Sequence, residues 1–354
     1  MLFSYSFYLS SLFVCVFFAY WGNKYDLKPL LYLLILFLAC ITGFRGYEVG
    51  IDTANYIKIW DNMLVGTPVY IELGFQWLIC YLQKITTNPT ILFFICSLIT
   101  YSCFVLRLWD FKNIASFPLM IAILFMLVLM PSMNVMRQYC AIAIIFYSTR
   151  FLFWKKYTKY IVGIVLASLL HYSALIAISF WGFELLEWKN LPLLKRRVYL
   201  ILIVVLLFFV QMIYFFVMTE YGHYFEDKEE KLGILTLAKI FFIITSAFLS
   251  GIWRKKILSG NDKFIIKIAF WMYLLGVIIE SLGYFFPYMS RIGLPFSIFA
   301  VLYWGILFRN TKNMTLNFVY FIALFLFVGL PFLLSMVDNG FGTMPYSFFY
   351  QNLN

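Results

Sequence analysis

Three arginines, one histidine and a few carboxylates stand out in a chain with only 12% charged residues. Arg45, Glu48 and Asp52 fall together in "GFRGYEVGIDTANY" (43–56), directly after the apolar run Leu30 to Ile41. Arg137 lies in "PSMNVMRQYC" and Arg291 in "YFFPYMSRIG". An ionisable group beside hydrocarbon costs on the order of a few kcal/mol and marks either a functional or a paired site. A guanidinium is a planar, permanent cation whose fork matches phosphate oxygens two at a time, which an ammonium does not. Three of them converging on one cavity would suit a dianionic or diphosphate group. The plainer reading is that each snorkels to headgroups or pairs locally, Arg45 with Glu48 or Asp52 for instance. His171, in "LASLLHYSALI", is the histidine inside an apolar run, whereas His223 sits in an acidic segment. A neutral imidazole there can take a proton from a hydroxyl; equally, it can bond a backbone carbonyl freed at a helix break. Asp52 and Glu48 could act as a base or bind sugar hydroxyls, or Asp52 could cap a turn. Glu72 and Glu280 are weaker candidates for the same work. No metal-ligand set, P-loop, GxGxxG or Ser/His/Asp order is found, so neither metal nor cofactor is expected.

The elements that must hold these groups are membrane helices. The chain of 354 residues is 64% hydrophobic and 22% aromatic, with a mean hydropathy of +0.90. No soluble domain of this length can bury so much apolar surface. The apolar stretches are mostly about twenty residues long, which spans ~30 Å of hydrocarbon as a helix. Spans are expected near 2–21, 29–43, 91–109, 114–130, 139–153, 198–218, 234–252, 265–286, 292–308 and 315–336. The first lacks a basic n-region and a cleavage site, so it reads as a retained span rather than a signal peptide. Residues 72–85 read as a half-helix or interfacial helix. The six cysteines form no CxxC pair and suggest neither disulfides nor zinc.

The net charge of +11 does not indicate nucleic acid. The basic residues cluster between apolar runs, as the positive-inside bias requires. That bias is self-consistent only if residues 159–186 leave the cytoplasm and return. They are too few for two full spans, so a hairpin of short helices is expected, with His171 at its tip. The same scheme places Gly43–Tyr70, Pro131–Gln138 and Pro287–Arg291 at the outer face. It makes 1–337 a single transmembrane domain, with 338–354 as a loose external tail.

Three segments resemble one known family. "RGYEVGIDTANY" is similar to the Arg-x(4)-Gly-x-Asp signature, ending in Tyr, near the start of the EpsG family of Wzy-like polysaccharide polymerases. "NVMRQYCAIAI" resembles its N-x-x-R-Q segment, and "LASLLHYSALI" its A-x-x-x-H-x-S-A-L segment. Cys140 departs from the small or aliphatic residue usual there. The resemblance implies an all-α, polytopic, GT-C-like fold of about 10–13 transmembrane helices with short or re-entrant segments, in the bacterial cytoplasmic membrane. It implies metal-independent glycosyl transfer at the outer face, joining polyprenyl-diphosphate-linked oligosaccharide repeats with no cofactor. Carried onto this chain, His171, Asp52 and Glu48 become catalytic candidates; Arg45, Arg137, Arg291, Gln138 and Tyr56 become substrate-binding ones. Expected partners are the lipid-linked oligosaccharide, membrane lipids, and a chain-length regulator and flippase of the same pathway. An O-acyltransferase acting on the same polymer, a lipid-linked oligosaccharide flippase and an O-antigen ligase are the competing readings.

Overall fold

A computed structural model describes residues 2–184, 234–249, 260–284 and 289–349. It is all-helical, with no strand among the described residues. The helices are α1 (Leu2–Tyr25), α2 (Lys28–Gly43), α3 (Thr53–Leu64), α4 (Leu73–Gln83), α5 (Thr90–Trp109), α6 (Phe117–Asn134), α7 (Met136–Phe153) and α8 (Tyr157–Leu170). A 3-10 segment (Tyr172–Ser179) and the short α9 (Phe180–Glu184) follow. Then come α10 (Ile234–Leu249), α11 (Gly260–Ser281), α12 (Met289–Ser297), α13 (Ala300–Asn310) and α14 (Met314–Leu324). A π-helical turn (Phe325–Gly329) leads into α15 (Leu330–Val337). Six helical stretches among the described residues are long and apolar enough to cross a membrane, including Leu2–Tyr25, Thr90–Trp109 and Phe117–Asn134. The protein is therefore a polytopic, all-α membrane protein. The expected span at 198–218, the acidic segment at 219–233 with His223, and the basic residues at 189–197 and 254–256 lie outside the described residues.

Proline punctuates this fold where the backbone can spare an N–H. It stands at the start of α2 and of α6, positions where the first helical N–H groups have no partner anyway. Pro131 lies inside the last turns of α6, and the chain breaks at Val135 (φ −80°, ψ 53°) before α7 begins. That break re-aims the chain and puts Arg137 in the first turn of a new helix. The main core joins α1, α2, α5, α6, α7 and the C-terminal helices. A smaller apolar cluster (Tyr56, Trp60, Phe75, Ile79, Phe93 and Met136 among its members) ties α3 and α4 to α5 and the start of α7. It is this second cluster that positions the chemistry.

The 157–184 segment is a hairpin with His171 at its apex. α8 ends at Leu170, His171 is extended (φ −158°, ψ 120°), and the 3-10 segment starts at Tyr172. The return arm folds back on α8: Tyr160 donates to the Ala177 carbonyl at 2.6 Å, and Tyr157 stacks on Trp181 at 4.9 Å. One arm is 3-10 rather than α-helical.

The tail requires a correction. It was expected to be loose, yet Thr343, Met344 and Tyr346 are buried. The Tyr346 hydroxyl donates to the Ile41 carbonyl at 2.7 Å. Main-chain bonds lace the tail to the 44–51 loop: Gly46 N to Ser347 O at 2.7 Å, Gly50 N to Gly342 O at 2.8 Å, and Phe349 N to Phe44 O at 3.1 Å. Arg45 and Phe348 form an isolated antiparallel bridge. Gly46 is needed for this approach, since a Cβ there would stand 2.1 Å from Ser347 Oγ. The tail is a strap across the loop. Aromatic residues in an otherwise polar stretch supply its packing: Tyr346 stacks on Phe7 at 4.3 Å.

Candidate functional site: an Arg–Glu–His centre

The site is built around Glu72. It occupies the residue before α4 and makes no capping bond to that helix. Its carboxylate is turned away and shared between two other elements. Oε1 meets His171 Nδ1 at 2.8 Å, and Oε2 accepts from Arg137 Nη1 in an ion pair. Three segments distant in sequence thus meet at one carboxylate: the loop before α4, the first turn of α7 and the apex of the hairpin. Gln76, one turn into α4, fixes the loop by donating to the Ile71 carbonyl at 2.7 Å. Gly74 lets α4 lie directly on α8, because any Cβ there would come within 2.5 Å of Leu169 Cβ. That contact, two residues from Glu72 and two from His171, brings the carboxylate to the imidazole.

The Glu72 side chain is 6% exposed, that of His171 19% and that of Arg137 24%. The carboxylate is the covered member, while the two groups it orients retain access. Burial alone would push the Glu72 carboxyl up; the hydrogen bond with His171 and the Arg137 charge outweigh it and hold the carboxyl below its usual range. An ionised carboxylate can only accept. The proton between Glu72 and His171 therefore sits on Nδ1, which leaves Nε2 of neutral His171 as a lone pair. Fixing one ring nitrogen to define the other is how a carboxylate orients a base. Arg137 gives one arm to Glu72, and its guanidinium lies over the rings of Phe75 and Tyr56 at 5.5 and 5.9 Å. Its Nε is buried, with the Tyr56 hydroxyl beside the guanidinium as a further partner.

The other expected site residues fall into three groups. Tyr56 is buried beneath Arg137 and packs against Phe75 and Phe93, so it supports the guanidinium from behind. Gln138 is buried and donates to the Arg291 carbonyl at 2.9 Å. Arg291 is exposed at the start of α12, held by its main chain to the residue next to Arg137. Asp52 is half-buried at the N-terminus of α3 without capping it, and its backbone N–H reaches Asn134 Oδ1 at 3.4 Å. Glu48 is exposed. Neither carboxylate is in contact with His171 or Arg45.

Arg45 is corrected most. The sequence places it at a mouth, ready for an anion, or paired with Glu48 or Asp52. In the structure it is fully buried. Its fork donates to the Thr42 and Met133 carbonyls, the latter at 2.8 Å, and Nε donates to the Val49 carbonyl at 3.2 Å. Thr42 and Met133 lie in the last turns of α2 and α6, where carbonyls lack helical partners and the helix dipole is negative. Arg45 thus closes two helix ends at once, with its face 4.4 Å from the Phe93 ring centre. Burial lowers its guanidinium to about 10, so it remains a cation at neutral pH. The three arginines do not converge as a trio. Of the neighbouring glycines, Gly46 admits the C-terminal strap, while Gly43 lets α2 close on Phe94 of α5.

Glu72 is the residue that sequence reasoning ranked too low. The usable signal was a carboxylate abutting a short apolar helix, with a glycine two residues on and no basic neighbour in sequence.

Fold and site together define a polytopic helical membrane protein with one carboxylate holding a histidine and an arginine at a helix break. No curated protein and no solved structure matches the chain. The EpsG family model matches residues 28–348, nearly the whole length, and the protein belongs to the EpsG family.

Proposed function

We propose that this protein is a polysaccharide polymerase of the cytoplasmic membrane, joining polyprenyl-diphosphate-linked oligosaccharide repeats by glycosyl transfer at the outer face. The observation that carries the proposal is the single carboxylate of Glu72 joined to both His171 and Arg137. Such transfer needs a base for the attacking hydroxyl and a cation for the departing diphosphate. In the proposed step the acceptor hydroxyl oxygen attacks the anomeric carbon of the donor sugar. Its proton passes to His171 Nε2 as the new glycosidic bond forms. The bond from that carbon to the diphosphate oxygen breaks, and the leaving polyprenyl diphosphate keeps the electron pair. Arg137 meets the charge that develops on that oxygen; such preorganised electrostatic help is worth about 3–4 kcal/mol per donor in well-studied sites. Glu72 touches neither reacting atom. It sets the His171 tautomer and holds Arg137 in place. Arg291, held through its main-chain carbonyl to Gln138 beside Arg137, meets the anionic substrate with its exposed side chain in this reading, and Asp52 at the start of α3 is a candidate contact for acceptor hydroxyls.

The test is deletion of the gene followed by analysis of the surface glycan and of the lipid-linked pool. Single lipid-linked repeats should accumulate while long polymer disappears. Normal-length polymer lacking acyl groups would instead identify an acyltransferase. Unchanged polymer with a normal lipid-linked pool would refute the polymerase reading.

A further inference from the structure

At the end of α7 remote from Arg137, about 20 Å along the helix axis, basic side chains gather with too little negative charge among them. Arg107, in the last turn of α5, is buried and donates to Asp110 Oδ2 at 2.9 Å and to Thr149 Oγ1 at 3.1 Å. Its Nη2 is buried with no hydrogen-bond partner among the described residues. Asp110 therefore serves Arg107 first, and Arg150 of α7 is left with a longer contact of 3.4 Å to the second carboxylate oxygen. Lys155, Lys156 and Lys159 are exposed at the turn into α8. None of the three has a carboxylate within 4 Å among the described residues.

These cations converge rather than spread. The Arg150 guanidinium and the Lys156 ammonium sit 4.9 and 5.2 Å from the centre of the same ring, Trp154. Lys159 reaches Phe151 at 6.0 Å, and Phe151 packs edge-on against Trp154 at 6.3 Å. A ring face offsets only part of the repulsion between neighbouring cations. Lys156 is also the N-cap of α8, and Lys159 lies in its first turn, with no acid there and no capping side chain, although the dipole at this end of a helix favours negative charge. An anion seated among Arg150, Lys156 and Lys159 relieves the repulsion and answers the helix end at once.

The surroundings select the anion. A guanidinium fork suits phosphate. Trp154 is 54% exposed, and Ile161, Val162, Val165 and Leu166 form an exposed apolar face of α8 just beyond Lys159. A free phosphate covers neither; a phospholipid covers both, with its acyl chains along α8. A zwitterionic headgroup brings an ammonium that the lysines repel, so the headgroup carries net negative charge. The positive-inside bias puts this end of α7 at the cytoplasmic leaflet. We propose that Arg150, Lys156 and Lys159 bind the phosphate of an anionic phospholipid of that leaflet, whose acyl chains lie on the exposed face of α8. Because α8 is the arm that ends at His171, the lipid braces the hairpin from its base. The lipid site is independent of the polymerase reading.

The experiment is native mass spectrometry of the full chain in detergent, with phosphatidylglycerol titrated in and phosphatidylcholine as the comparator. Phosphatidylglycerol should be retained and phosphatidylcholine should not. Lys156→Gln/Lys159→Gln should weaken retention about 30-fold, at roughly fivefold per cation. Lys24→Gln/Lys28→Gln, which removes equal charge from another basic turn, should leave retention unchanged. Thermal unfolding in phosphatidylcholine nanodiscs, with and without phosphatidylglycerol, gives a second readout. Wild type should gain stability from phosphatidylglycerol. The Lys156→Gln/Lys159→Gln variant should gain none, yet match or exceed wild type in phosphatidylcholine alone, since its α8 no longer starts with cations. Equal loss of retention in the two double variants overturns the proposal, and so does equal retention of phosphatidylcholine, which leaves only non-specific annular lipid. Displacement of phosphatidylglycerol by equimolar glycerol 3-phosphate overturns it in favour of a soluble-anion site, and displacement by equimolar hexaglutamate in favour of an acidic protein segment. A Lys156→Gln/Lys159→Gln variant that is unstable in phosphatidylcholine alone overturns it too, by assigning the lysines to folding.

Discussion

Glu72→Gln is the most informative single change. It alters almost no volume, yet the amide cannot do both tasks of the carboxylate. Arg137 Nη1 is a donor and requires an oxygen; His171 Nδ1, as the wild-type site holds it, also requires an oxygen. A glutamine offers one oxygen and one NH2. The charge-assisted bond to Arg137 is the stronger and takes the oxygen, so the NH2 faces Nδ1. The imidazole can then accept it only by moving its proton to Nε2. The lone pair meant for the acceptor hydroxyl is lost, and with it the base contribution of about 100- to 10,000-fold in rate. The alternative rotamer sets NH2 against Arg137 and releases the guanidinium instead. The assay is elongation of purified lipid-linked repeats by enzyme in nanodiscs, with products resolved by length and rates normalised to folded protein. Glu72→Gln should fall at least about 100-fold at near-normal protein levels. Glu72→Asp keeps both oxygens and should fall less. A Glu72→Gln enzyme that elongates at the wild-type rate would refute the orientation argument, and the base would then have to be sought at Asp52 or Glu48.

Other outcomes follow from the same geometry. Burial would raise the Glu72 carboxyl, but its partners hold it below its ordinary value of 4.5; its stabilising contribution is therefore full above that pH and lost as pH falls through the depressed native value. Thermal stability measured downward from pH 5 should thus decline more steeply in wild type than in Glu72→Gln, and parallel curves would contradict this. Arg45→Lys should act on folding: at least one helix-end carbonyl loses its donor at a cost of about 1–3 kcal/mol, so folded protein recovered after heating should drop while the remaining protein keeps its KM. A stable Arg45→Lys that fails only in elongation would return Arg45 to ligand binding. Arg137→Lys should keep normal expression yet lose elongation by more than about tenfold, because the ammonium cannot serve Glu72 and a diphosphate with one planar fork. Gly46→Ala should destabilise by about 1–3 kcal/mol, and Ser347→Ala should restore part of that, since the nearest clashing atom is Ser347 Oγ; no rescue would argue against the strap.

Sequence alone determined the class of fold, because hydropathy is a local property: each long span must satisfy its own backbone in hydrocarbon, whatever its neighbours are. It also located the helix break at His171, through span length and charge bias, and singled out Arg137. Tertiary structure decided which polar groups meet. Arg137 and His171 lie 65 and 99 residues from Glu72, whose carboxylate they share, and nothing in local pattern pairs them. Arg45 shows the same limit from the other side. Its type and surroundings suit an exposed anion site equally well, and only packing shows two helix ends and the C-terminal strap closing over it. The strap itself was illegible because its bonds to the 44–51 loop are made by main-chain groups, which every residue carries and no sequence pattern marks.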